Sequence, residues 1–87
     1  MNFLHNDLGY LGGSETVEVT LDKAANVTLM DTANFNRYRT GGRHQYYGGE
    51  VTRSPLRVAV PRSGHWHLTV DLGGFAGTIR AGNRVVG

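Results

Sequence analysis

Leu56-Arg57-Val58-Ala59-Val60-Pro61-Arg62-Ser63-Gly64-His65-Trp66-His67-Leu68-Thr69-Val70-Asp71-Leu72 is the stretch that decides the fold. In its second half polar and apolar residues alternate strictly. Trp66, Leu68, Val70 and Leu72 fall on one side of an extended chain, and His65, His67, Thr69 and Asp71 on the other. That is the period-two pattern of a strand with one buried face. Leu56, Val58 and Val60 alternate in the same way. Pro61-Arg62-Ser63-Gly64 between the two runs has turn chemistry, because proline presets φ and glycine accepts a positive value. The two runs are therefore expected to form a hairpin.

Working outward, Glu15 to Leu21 alternates with Val17, Val19 and Leu21 on the apolar side, and a second strand carries Val27 and Leu29. Asp31 or Thr32 then caps one or two helical turns that bring Phe35 and Tyr38 to one face, with Gly41-Gly42 as the stop. So short a helix needs its rings docked on the sheet. Gln45-Tyr46-Tyr47 reads as a strand broken at Gly48-Gly49 by a bulge or bend. Gly73-Gly74 turns the chain, and residues 78–86 supply one or two last strands. About seven to nine short strands with frequent turns predict an all-β chain. The expected architecture is a two-sheet antiparallel sandwich, jelly-roll-like, with one short helical turn near residues 32–39. Strands do not alternate with long helices, which argues against a nucleotide-binding α/β fold. There is no internal repeat and no linker, so residues 1–87 read as one domain.

A chain of 87 residues without cysteine must be held by packing and backbone pairing, with no disulfide and no thiolate metal site. No run approaches the ~20 apolar residues of a membrane span. Met1-Asn2-Phe3-Leu4-His5-Asn6-Asp7 lacks the basic start and apolar run of a signal peptide, so the expected location is cytoplasmic. Charge is unevenly placed. Residues 1–31 carry Lys23 against five acids, a balance of −4, and residues 32–87 carry eight arginines against Glu50 and Asp71, a balance of +6. In a sandwich whose halves interleave, these charges would face each other across strands.

Several residues are candidates for chemistry. His65 and His67, two apart on a strand, project to the same side, and Asp71 shares that side. Two imidazoles and a carboxylate are a donor set for zinc or ferrous iron. The spacing looks like the first metal motif of cupins, but no second such motif follows. Asp71 also lies roughly 20 Å along an extended strand from His65, so His5 or His44 would have to complete a site. Gly73-Gly74-Phe75-Ala76-Gly77 lacks the lysine and hydroxyl of a phosphate loop and reads as a turn. Ser14, Ser54 and Ser63 sit in turns outside any nucleophile elbow, and a cysteine–histidine pair is excluded. No catalytic residue, cofactor or resident metal is expected. Arg37, Arg39 and Arg43 gather near Tyr38, Tyr46 and Tyr47, a composition suited to stacking on bases and gripping phosphates.

Three stretches together carry a resemblance: residues 4–11 (Leu4-His5-Asn6-Asp7-Leu8-Gly9-Tyr10-Leu11), Asn26 to Asp31 with Asn34-Phe35, and Tyr46-Tyr47-Gly48-Gly49 leading to Val60-Pro61-Arg62-Ser63-Gly64-His65-Trp66. Nearly end to end, the chain resembles a bacterial family catalogued as domain of unknown function 1883. The resemblance implies a β-sandwich. It also implies relatives in which this domain is joined to a Toll/interleukin-1 receptor (TIR) domain, where it would sense or dock. No catalytic residues transfer from it. The order of strands and turns also looks like that of jelly-roll recognition modules, an analogy of fold alone.

The function expected from the sequence is a non-catalytic binding or recognition module. Its partner would be a protein or a small ligand, met through His65, His67, Thr69 and Arg62. One alternative is a cupin-like, metal-dependent site at His65 and His67. The second is single-stranded nucleic-acid binding through Arg37, Arg39, Arg43 and Tyr47.

Overall fold

The computed structural model describes residues 3–73 and 77–87. Among them are seven strands and one helix: β1 (Phe3–Leu11), β2 (Thr16–Leu21), β3 (Ala25–Asp31), α1 (Thr32–Arg39), β4 (Tyr47–Val51), β5 (Leu56–Ala59), β6 (Gly64–Asp71) and β7 (Ala81–Val86). They form two antiparallel sheets, a four-stranded one in the order β1-β6-β3-β4 and a three-stranded one in the order β5-β2-β7. The all-β sandwich expected from the alternation is present. Its division is four and three, where a jelly roll has eight strands. The turn and glycine-rich stretch read at 73–77 fall partly on residues 74–76, outside the described residues.

Inward residues of both sheets meet in one core: Val17 and Val19 from β2, Val27 and Leu29 from β3, and Trp66, Leu68 and Val70 from β6, all buried. The expected hairpin is absent. β5 pairs with β2, whereas β6 pairs with β1 and β3 in the opposite sheet. Residues 60–63 therefore arch between layers. The Val60 amide donates to the Glu15 carbonyl (2.9 Å), extending the β5–β2 pairing by one bond, and Pro61 then has no amide with which to continue it. Alternation fits both outcomes, because inward residues of an arch face each other across the core and those of a hairpin lie side by side.

α1 forms where the capping signal predicts. Asp31 accepts the Asn34 amide (2.9 Å) at its start. Gly41, at φ +81°, and Gly42 end it, donating to the carbonyls of Tyr38 and Arg37 in the paired pattern of a Schellman cap. The two aromatic rings dock as an eight-residue helix requires: Phe35 and Tyr38 are buried with Met30, and Phe3 packs against them. They cover the outer face of the four-stranded sheet, so β6 is covered on both sides.

Gly48 and Gly49 lie inside β4, in regular register with Thr28 and Val27, and not at a bulge. Gly48 sits at φ +115°, and a Cβ there would stand 2.3 Å from the Val27 carbonyl oxygen, so only glycine allows the approach. Part of the charge imbalance is met by ion pairs. Glu18 of β2 receives Arg57 from β5 (3.0 Å) and Arg84 from β7 (2.8 Å), and Asp31 pairs with Arg62 (2.7 Å).

The carboxylates of these pairs contribute to the acid response. The Asn34 amide, with help from Arg62, holds the Asp31 carboxyl below its ordinary 3.8, and hydrogen bonding to Arg84 does the same for Glu18. A depressed carboxylate contributes stability that is complete above its unfolded value and lost as pH falls through the folded one. Through these groups, stability should hold until about pH 4 and then fall. Asp31→Asn keeps a capping side chain but has no charge to lose, so its denaturant midpoint should fall less steeply below pH 4 than the wild type's. Equal slopes would refute this.

Candidate functional site

The outer face of the four-stranded sheet carries a row of polar and aromatic side chains. From β1 come Phe3, His5, Asp7 and Tyr10, which stand opposite Asp71, Thr69, His67 and His65 of β6 in the register. α1 lies over part of this row. Beneath it Asp71 accepts from the Tyr38 hydroxyl (2.7 Å), Asn26 (3.1 Å) and the Gly73 amide (2.8 Å). The hydroxyls of Thr28 and Thr69 bond each other. His67 shares hydrogen bonds with the Thr32 hydroxyl through Nε2 and with His5 Nε2 through Nδ1, both 2.9 Å. Among the described residues no buried side-chain polar atom lacks a partner, as a doubly covered sheet demands.

Beyond the helix the row emerges. His65 Nε2 meets Asp7 Oδ1 at 2.6 Å, and the Gly9 amide donates to the same oxygen (2.9 Å). The ring of Tyr10, 83% exposed, lies 4.8 Å from that of His65. His65 stacks parallel on His67 at 4.8 Å, and Phe35 stacks on the rings of both His67 and His5. A bulge in β1 between Asp7 and Gly9 shapes this end. Gly9 takes φ +74° there, and its amide closes on Asp7. The His65 contact holds the Asp7 carboxyl below its usual range. Burial pushes the His67 imidazole below 6.5, partly offset by Asp7 and Asp31 and reinforced by His5 and His65, so its neutral form is favoured.

The expected recognition face is thus only partly at the surface. Thr69 and His67 are buried, a correction to the solvent-facing placement that alternation suggested. The physical reason is that α1 docks on this side of β6. Arg62 is exposed but engaged: its guanidinium bonds Asp31, lies 5.0 Å over the Trp66 ring and reaches the Tyr47 hydroxyl (3.4 Å). Asp71 is committed to Tyr38 and Asn26 under the helix and is not the carboxylate of the histidine pair. Asp7 is, from the neighbouring strand. Donor atoms of Asp7, His65 and His67 all lie within 4.8 Å of one another. His5 stands behind His67, whereas His44 sits beyond the helix, edge-on to Tyr38.

The residues of the nucleic-acid reading are divided. Arg37 and Arg43 line an open depression with Asn34 and His44, but Tyr47 packs against Trp66 and Arg62 elsewhere. Arg37 and Arg39 lie in the last turn of α1, where basic side chains complement the carbonyl end of the helix dipole. Each also bonds an asparagine three residues back. Elsewhere, a cleft of about 220 Å³ opens between β1 and β7 over Val19, Leu68 and Val70. It is smaller than the ~300 Å³ at which small-molecule pockets begin. Among the described residues no helix is long and apolar enough to cross a membrane.

A family model described as "Domain of unknown function (DUF1883)" matches residues 1–86. No curated protein and no solved structure matches the chain.

Proposed function

The chain belongs to the DUF1883 family, and from its own geometry we propose that it is a non-catalytic binding domain presenting the uncovered end of its outer sheet face, around Tyr10, Asp7 and His65. The observation that carries this reading is Tyr10: a large ring, 83% exposed, on an edge strand paired with β6 and tilted against His65. Tyrosine supplies wide amphipathic contact at little entropic cost, and a paired strand holds it in place before binding. Side-chain chemistry supports the non-catalytic half. The chain has no cysteine, and the Ser54 hydroxyl is engaged by the Leu21 amide (2.9 Å). The sensing or docking role beside a TIR-type signalling or defence protein, implied by the resemblance, fits such a domain, as does a cytoplasmic location.

The test is thermal unfolding against divalent metal salts, nucleotides, oligonucleotides, sugars and short peptides. A ligand at a hundred times its dissociation constant adds about 2.7 kcal/mol, or ~10–20 °C in a domain of this size. One class should raise the wild-type midpoint, raise that of Tyr10→Ala much less, and be recovered chemically unchanged. No shift with any class, an equal shift in Tyr10→Ala, or conversion of the ligand would each contradict the reading.

A further inference from the structure

We propose that Asp7, His65 and His67 bind one divalent transition-metal ion of the zinc class, through a carboxylate oxygen and two imidazole nitrogens, with a remaining position open to solvent. This deepens the reading of that end of the sheet as a binding surface and rests on it.

Convergence comes first. The three donor atoms lie within 4.8 Å of one another. An imidazole donates in its ring plane, and the His65 and His67 rings are stacked parallel. The partly exposed His65 ring must therefore turn out of the stack to bring both nitrogens to zinc at ~2.0–2.2 Å. Scaffold comes second. All three residues lie on β1 and β6, two antiparallel strands in register, and Asp7 sits directly opposite His67. The bulge after Asp7 puts the Gly9 amide on its carboxylate and steadies it. Sites on paired strands hold their geometry better than sites on loops.

The donor set and its supports agree. Two nitrogens and one oxygen suit zinc, cobalt or ferrous iron, whereas magnesium and calcium take oxygen ligands. Each nitrogen of His67 already faces a partner, Thr32 on one side and His5 on the other. Whichever nitrogen turns to the metal, the other keeps a contact that fixes the ring, the usual arrangement behind a metal-bound histidine. His5 and Thr32 are positioning residues here. Asp7 and His65 are partly exposed, with side chains at 53% and 30%, so water or a ligand group can reach the ion.

The experiment is a calorimetric titration of the chelator-stripped full chain with zinc chloride, repeated with cobalt and magnesium chlorides. Zinc and cobalt should bind one to one and magnesium should not. His67 is buried, so the variants that decide are Asp7→Asn and His65→Ala, each checked for an intact fold by circular dichroism without metal. Each should weaken zinc by at least the ~10–100-fold that loss of an outer-shell partner costs. His44→Ala should leave it unchanged. Absence of saturable zinc binding, or equal affinity in both ligand variants, would overturn the proposal. So would an equal loss in His44→Ala. A Tyr10-dependent, metal-free ligand found alongside a failed zinc titration would overturn the metal site and leave the binding surface standing.

Discussion

Trp66→Ala should cost about 3–5 kcal/mol, the range for removing a large buried aromatic. Trp66 is 1% exposed and is the largest fully buried side chain among the described residues. Its indole N–H donates to the Arg62 carbonyl (3.0 Å), and the Arg62 guanidinium covers its ring. The tryptophan thus anchors both the core and the arch that carries the chain from β5 to β6. At ~0.05–0.15 kcal/mol per residue, the domain holds only about 4–13 kcal/mol in all. The variant should therefore unfold at least ~12 °C lower, or not fold at room temperature. Trp66→Phe keeps most of the buried area and should lose much less. If denaturant unfolding finds Trp66→Ala within about 1 kcal/mol of wild type, this core is wrong.

Asp71→Ala should be next, at about 3 kcal/mol. Asp71 is 6% exposed, and its removal strands the buried Tyr38 hydroxyl beneath α1 and takes a partner from the half-buried Asn26 amide. An unsatisfied buried group costs about 1–3 kcal/mol. Burial, reinforced by Asp71, raises the Tyr38 phenol above its ordinary value, so it stays a donor at any ordinary pH. Tyr38→Phe alone should cost about 1 kcal/mol. In that background Asp71→Ala should cost less than in the wild type, by a coupling of about 0.5–3 kcal/mol. Strictly additive costs from denaturant unfolding would mean that the pair does not bind α1 to the sheet.

Much of the fold is legible because the code is local. Val17, Val19 and Leu21 alternate without interruption, and Asp31 signals a helix start at one position. β1 is not legible in the same way. Leu4 and Asn6 lie on the sheet side away from α1 yet stay exposed, and the bulge at Leu8-Gly9 then shifts the phase so that the partly buried Leu8 and Leu11 follow. No unbroken period survives for the eye to find. The arch at 60–63 escaped for a different reason: alternation says which side of a strand is apolar, not which strand lies beside it.

The site is half legible on the same grounds. His65 and His67 share a strand, so their common side follows from spacing alone. Their carboxylate partner depends on strand order, which put Asp7 across from His67 and sent Asp71 toward Tyr38. Burial of Thr69 follows from where α1 docks, a tertiary choice that the Phe35–Tyr38 spacing announces without naming the face.

The most direct measurement of the central claim is a map of amide shifts on the nitrogen-15-labelled protein, as the ligand that raises its unfolding midpoint is added. The largest changes should centre on Asp7, Gly9, Tyr10, His65 and His67. Changes centred instead on the Arg37–Arg43 depression, or on the cleft between β1 and β7, would contradict the account and move the binding surface to that place.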